Sequence, residues 1–469
     1  MSVTSVLFVA FAIAVAALYS LWANPAWRKM LMLVSNIAFV LSFTTAPSAL
    51  APYVAFLLLA FVSVRSAQYL PGRWPSILFI GGTTAIFLWL KKYWFVGAVV
   101  EFLPFAYLTV GLSYVFFRVM GLIIDARQDE RLARVGPLDF FNFAMNFPTL
   151  IAGPIDRYQE FEKDYPVTLP DVGHALYRAM GGFFKIIVVS YIFTAIQEHY
   201  AAALLTGPDA TNRLLLGFMA IGSYPLALYF NSSGYADIVI SIGVLFGKRY
   251  PENFNRPFLA FSFIEFWSRY HMSLSNWLKD YIYTPLLTSL MRKVPNPALD
   301  PFIGAIAYFV TFFLIGIWHG STVAFAVYGL LLAIGVSINK LYQVYLGKYL
   351  GRKKYRELSG GYVYRSLMRG LTYTYYAFCM IFFWATMDTT LQIFDRMSVG
   401  GLLVSLAAMV IAAAMIASAI EWTLEHADKG AAAMSPYARS VAASLLVLGC
   451  LATMIITANV DSKIIYQAF

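Results

Sequence analysis

Two histidines stand where proton chemistry is least expected. His319 lies mid-way along residues 301–339, a 39-residue stretch with no Asp, Glu, Lys or Arg, within Gly316-Ile317-Trp318-His319-Gly320-Ser321. A neutral imidazole is the side chain best matched to proton transfer near pH 7, and an ionisable group inside such a segment is rare and functional by default. Hydropathy alone gives equal weight to a plainer reading, in which two spans of about 20 residues meet here and His319 caps an exposed hairpin beside Gly320. His271 is the second candidate, in Phe266-Trp267-Ser268-Arg269-Tyr270-His271-Met272-Ser273-Leu274-Ser275-Asn276-Trp277-Leu278-Lys279-Asp280. If this run is one helix, Trp267, His271 and Ser275 share a face and Glu265 can pair with Arg269. The plainer alternative is an interfacial amphipathic helix with tryptophan anchors. His174, His199 and His426 neighbour charges or loop residues and read as surface histidines.

Other chemistries lack their residues. No Walker loop, dinucleotide fingerprint, H-E-x-x-H or G-x-S-x-G is present, so nucleotide hydrolysis, hydride transfer, zinc proteolysis and the usual serine esterase have no signature. The histidines are not joined by clustered carboxylates or thiolates, so no metal site is expected. Cys379 and Cys450 both lie in apolar runs and read as packing residues.

The elements that must position the histidines follow from composition. Of 469 residues, 60% are apolar and only 12% charged, against roughly 25% charged in a soluble domain; mean hydropathy is +0.68. Such a chain needs lipid as solvent. Apolar stretches recur near 3–22, 30–46, 50–68, 75–90, 104–124, 180–198, 213–248 (long enough for two), 301–339, 370–387, 400–420 and 440–460. They predict an all-α polytopic membrane protein of about eleven spanning helices, since 397–420 has no charge at all and lacks the alternation of barrel strands. Residues 138–166 and 249–293, rich in proline or charge, read as re-entrant or interfacial segments.

Residues 340–369 read as a cytoplasmic loop, with Lys340, Lys348, Arg352, Lys353, Lys354, Arg356, Arg365 and Arg369 against Glu357 alone. Counting from it places the 461–469 tail outside. The first charge, Arg28, follows an apolar run without a basic leader, so that run reads as a retained span with an extracytoplasmic N-terminus. The net charge of +10 is accounted for by such loops, with no nucleic-acid footprint. There is no internal repeat or linker, so residues 1–469 read as one integral-membrane domain.

Six strings carry a resemblance from about residue 104 onward: Gly111-Leu112-Ser113-Tyr114, Ala152-Gly153-Pro154-Ile155-Asp156-Arg157-Tyr158, Tyr229-Phe230-Asn231-Ser232-Ser233-Gly234-Tyr235-Ala236-Asp237, Asn253-Phe254-Asn255-Arg256-Pro257-Phe258, Phe266–Asp280 and Gly316–Ser321. In this order they resemble the membrane-bound O-acyltransferase family, and within it the bacterial branch of alginate and peptidoglycan O-acetyltransferases and the teichoic-acid D-alanylation membrane subunit. Asn231, Ser232 and Tyr270 depart from residues common in the acetyltransferase members, which bears on the acyl group more than on the chemistry.

The resemblance implies a ring of tilted helices around a central tunnel, with His319 deep inside as the family histidine and His271 as its second. It implies an O-acyltransferase that moves acetyl or D-alanyl from a cytoplasmic thioester, acetyl-coenzyme A or an acyl- or D-alanyl-carrier protein, with no tightly bound cofactor. The acceptor would be a cell-envelope or secreted polysaccharide, reached through an extracytoplasmic esterase-like (SGNH) partner from a bacterial inner membrane. Trp318, Ser273, Asn276, Arg269, Tyr235 and Asp237 are then candidates for lining the tunnel, and Arg352, Lys353 and Lys354 for the donor entrance. Tyr466 in the tail resembles the C-terminal tyrosine that takes the acyl group in related systems, a phenol with pKa about 10 being easier to deprotonate than an alcohol. Two rivals stand: a transporter with a histidine-lined path, and a lipid- or protein-acylating member of the same family.

Overall fold

The computed structural model describes residues 3–450 apart from Thr4, Thr45, Pro71, 208–211, 432–440, Ala442, Ala443 and Leu446. Among the described residues all regular structure is helical, save one isolated antiparallel bridge between Phe254 and Tyr270. Among the described residues six helices are long and apolar enough to cross a membrane: Ser48–Tyr69, Leu169–Thr206, Arg213–Leu245, Asp300–His319, Val323–Leu350 and Met387–His426. This is an integral membrane protein of polytopic all-α architecture. The expected eleven spans are not all of that kind. Val6–Leu21 has 16 residues, Pro25–Leu41 has 17 and Leu112–Asp125 has 14, short of the ~20 that a perpendicular crossing needs. Tyr362–Trp384 is long enough but carries Arg365 and Arg369 among threonines and tyrosines. The 440–460 stretch lies largely outside the described residues.

Two other expectations change. Residues 213–248, long enough for two spans, form a single 33-residue helix with Pro225 inside it, about 50 Å of helix at 1.5 Å per residue. The basic 340–369 segment is not a loop. Val323–Leu350 continues through Lys340 and Lys348, Gly351 at φ +78° ends it, Arg352–Gly360 forms a short helix, and after Gly361 the Tyr362–Trp384 helix takes up Arg365 and Arg369. Nothing between 323 and 350 breaks a helix, whereas glycines punctuate each end of the short one.

The chain divides into two compact units. Of the described residues, one comprises those up to Phe183 and Gly234–Glu252, the other Phe184–Ser233 and those from Asn253 to Cys450. In the first, helices start on side-chain caps: Ser5 Oγ accepts from the Phe8 N–H at 3.2 Å, and Asn24 Oδ1 from that of Ala26 at 2.8 Å ahead of Pro25. Its apolar centre packs Phe8, Phe39 and Phe147 together, Phe8 meeting Phe147 edge to face and the other two pairs tilted. Next to it lies a polar core. Buried Arg118 donates to the Ala144 carbonyl at 3.1 Å and to the carbonyl and hydroxyl of Thr149, as a buried guanidinium requires. Gly111, at φ +72°, lets the Leu112–Asp125 helix begin against Leu150, whose carbonyl would lie 2.6 Å from any Cβ there.

In the second unit, Asp300–His319 and Val323–Leu350 form a hairpin whose closest approach is between two glycines. A Cβ on Gly316 would lie 2.0 Å from the Gly329 Cα, the close backbone contact that small residues permit between membrane helices. Tyr362–Trp384 and Met387–Ala431, the latter broken at Ser398 (φ 59°), are tied by charge. Arg369, 1% exposed, donates Nη1 to Glu421 Oε2 at 2.7 Å and Nη2 to Oε1, while Arg365 reaches the same carboxylate at 3.0 Å. Arg369 Nε also donates to the Leu259 carbonyl at 3.0 Å.

Candidate active site

Within the second unit, the chain before His271 folds back on the chain after it. The Asn255 N–H donates to the Arg269 carbonyl at 2.8 Å and the Met272 N–H to the Asn253 carbonyl at 2.9 Å. Asn253 Oδ1 accepts from the Ser273 N–H at 3.1 Å and from Ser273 Oγ at 2.8 Å. These bonds hold His271 at φ 48°, ψ 49°, between the helices Phe263–Arg269 and Met272–Leu278. A non-glycine residue is uncommon there and persists only when its surroundings over-determine it. The expected single helix is therefore interrupted at the histidine: Trp267, His271 and Ser275 do not share a helical face. The Glu265–Arg269 pair does form, at 2.6 Å.

His319 is the last residue of its helix and 7% exposed, so it does not cap an exposed hairpin. The two helices do meet there, but rings cover the turn. The imidazole has Phe383 at 5.0 Å and Tyr328 at 5.9 Å between ring centroids, and Phe325 lies against Gly320. Trp318 links the histidines, with its ring centroid 4.6 Å from His319 and 6.2 Å from His271, which is 3% exposed. Neither ring nitrogen of His319 has a hydrogen-bond partner among the described residues. A buried imidazole with both nitrogens unengaged, in an apolar wall, can take a proton from an incoming hydroxyl where little water competes.

The other candidates divide. Ser273 belongs to the site through Asn253. Arg269 is engaged by Glu265, and Asn276 is exposed on its helix. Tyr235 and Asp237 belong to the first unit: the Tyr235 hydroxyl accepts from the Ala152 N–H at 3.2 Å, and Asp237 pairs with Arg178 at 2.8 Å, the same arginine that holds Glu252. Arg352, Lys353 and Lys354 are exposed and make no ion pair among the described residues. Arg352 borders a cavity of about 570 Å³ with Lys348, Tyr355 and Arg356 and no acidic group. Tyr466 lies outside the described residues. Among those residues no group of three or more His, Cys, Asp or Glu side chains could hold a metal.

Sequence reasoning missed the residues that hold the histidines. Asn253 stands inside a quoted motif, but nothing local says that it bonds to Ser273. Phe383 and Tyr328 look like any membrane aromatic, and only the packing of Tyr362–Trp384 and Val323–Leu350 brings them to His319.

Comparison with known proteins adds independent findings. The profile of the membrane-bound O-acyltransferase family matches residues 59–368, a range that includes both histidines. The chain is similar to a probable alginate O-acetylase of Pseudomonas syringae pv. tomato, 33% identical over 236 residues that cover 50% of this chain and 43% of the relative. It is also similar to teichoic acid D-alanyltransferases. That of Bacillus subtilis is 32% identical over 250 residues, 51% of this chain and 61% of the relative; that of Lacticaseibacillus rhamnosus is 34% identical over 245 residues, 49% and 58%. The chain thus spans about half the length of the relatives it matches.

Proposed function

The chain belongs to the membrane-bound O-acyltransferase family, and from that premise we propose that it moves a short acyl group, acetyl or D-alanyl, from a cytoplasmic thioester to a hydroxyl, for O-acylation of a cell-envelope or secreted polysaccharide. The observation that carries this reading is the buried His319 with unengaged ring nitrogens, joined through Trp318 to His271. His319 removes the acceptor's proton as its oxygen attacks the thioester carbonyl. Collapse of the tetrahedral intermediate breaks the C–S bond and expels the thiolate, which takes the acceptor's proton from the imidazolium and leaves as the thiol. His271 positions the donor. The apolar surround keeps water from the thioester.

The donor, coenzyme A or a carrier protein, is drawn to the cationic surface of Lys348, Arg352, Lys353, Lys354 and Arg356, because both donors carry negative charge. Tyr466 accepts the acyl group first and hands it to an extracytoplasmic esterase-like partner, the tail being outside an inner membrane. The relatives support either acyl group equally, since one set is named for O-acetylation and the other for D-alanylation.

The test is His319→Ala in purified protein given a radiolabelled acyl thioester. Removing the base should lower transfer by about 10²–10⁴-fold with insertion and thermal stability unchanged. Near wild-type turnover in folded variant protein would falsify the assignment. Solute uptake by the wild type without label transfer would favour the transporter.

A further inference from the structure

Away from the histidines, the second unit has a cavity of about 440 Å³ walled by Phe193, Phe218, Phe258, Met409, Ala413 and Ile416. The hydroxyls of Ser223 and Tyr373 in this wall are committed to the carbonyls of Met219 and Gly222. The one charged side chain lining it is Arg256, exposed, held at φ 48° ahead of Pro257, and without an ion-pair partner among the described residues. More cationic charge stands at the same rim. Leu259, two residues after Pro257, gives its carbonyl to Arg369, and Ile420 and Leu424 of the wall flank Glu421. Arg365 and Arg369 share the single Glu421 carboxylate there, a cluster with one positive charge in excess.

We propose that this cavity binds an anionic glycerophospholipid, one acyl chain lying between the Arg213–Leu245 and Met387–Ala431 helices and the phosphate meeting Arg256. The chemistry favours a lipid over a polar ligand. An apolar wall whose Ser223 and Tyr373 hydroxyls are already committed offers a sugar or nucleotide few hydrogen bonds, and it removes hydrocarbon from contact with water. Wall residues such as Ile416 and Ile420 are themselves exposed on the surface of an apolar helix, so a chain can enter sideways from the bilayer. A cation at the rim of such a cavity distinguishes anionic from zwitterionic head groups.

The experiment uses the full chain in non-ionic detergent, given equimolar dioleoyl phosphatidylglycerol and dioleoyl phosphatidylcholine, with bound lipid counted by native mass spectrometry. The wild type should retain one phosphatidylglycerol in preference to phosphatidylcholine by about fivefold, the factor one arginine gives beside an anionic lipid. Arg256→Gln should bring the ratio close to one while keeping a bound lipid, and Ala413→Trp, which fills the cavity, should lose both. An unchanged ratio in Arg256→Gln overturns the proposal, as does equal retention of the two lipids by the wild type. Retention of neither, which leaves the cavity to a protein segment, overturns it too. Displacement of phosphatidylglycerol by equimolar coenzyme A would reassign the cavity to the thioester donor and refute the lipid.

Discussion

Gly316→Ala tests whether the helix hairpin sets the position of His319. The added Cβ would stand 2.0 Å from the Gly329 Cα, 2.3 Å from its nitrogen and 3.0 Å from the Phe325 carbonyl oxygen. Carbon atoms in contact sit about 3.5–4.0 Å apart, so the two backbones must separate by roughly 1.5 Å. His319 is three residues further on, at the end of the same helix, and moves with it. Misplacing a reacting group by about 1 Å can cost 10²-fold, so kcat should fall by about that factor while the imidazole is still present. Gly304→Ala on the same helix is the control: its nearest neighbour would be Lys340 Cε at 3.6 Å, an ordinary contact, and transfer should be unaffected. Label transfer from an acyl thioester gives the rates, and size-exclusion profiles and thermal melts in detergent show that both variants are folded. Equal rates for Gly316→Ala and wild type would refute the claim that this contact positions the base.

Reversing Arg352, Lys353 and Lys354 to glutamate should raise the donor KM severalfold with little change in kcat, read from initial rates at varied thioester and salt; if neither moves, these residues serve topology alone. Asp156 is buried in the extended stretch ahead of the Tyr158–Phe161 helix, and burial lifts its carboxyl to about 7 against the pull of the Arg157 N–H and Arg118. The unfolded carboxyl ionises near 3.8, so stability falls as pH rises from about 4 to 7 and stays low above. Asp156→Asn, neutral throughout, should become progressively more stable than wild type as pH rises from about 4 to 7 and keep that advantage above it, read from thermal melts across pH; a pH-independent difference would contradict this. Tyr466→Phe should abolish glycan acylation in cells while the purified protein still binds donor, and normal acylation would remove this tyrosine from the route.

The sequence carried the fold class, because hydropathy is a local signal, and it singled out His319 and His271 as candidates, because an ionisable residue in an apolar run is also a local signal. Hydropathy alone could not decide between a buried His319 and a hairpin tip, and only the family resemblance favoured the buried one. That choice rests on Gly316 meeting Gly329 and on Phe383 closing over the imidazole from a helix more than sixty residues later. The single-helix expectation for 267–275 failed for a related reason. Helical spacing was present in the residues, but Asn253, from far upstream, takes the Ser273 N–H and hydroxyl and holds His271 in a left-handed conformation that no local propensity favours. Tyr235 and Asp237 follow Asn231 and Ser233 within one motif, yet the boundary between the compact units falls at Gly234, so adjacency in sequence did not keep the motif in one unit.

The basic segment shows how one signal can carry two physical roles. Counted along the chain, eight cations between 340 and 369 mean a cytoplasmic face, and Arg352, Lys353 and Lys354 are exposed as that reading needs. Arg369 is in the same count but buried, bonded to Glu421 from 52 residues away and to the carbonyl of Leu259. A guanidinium removed from water is stable only when its donors are satisfied, and losing the partner of such a pair costs about 3–5 kcal/mol. The Leu259 turn, which leads towards His271, is thus fastened to two membrane helices by a charge that a topology count treats as interchangeable with its neighbours. Position relative to the partner carboxylate, which only the fold supplies, separates the cation that organises the site from those that remain available to a ligand.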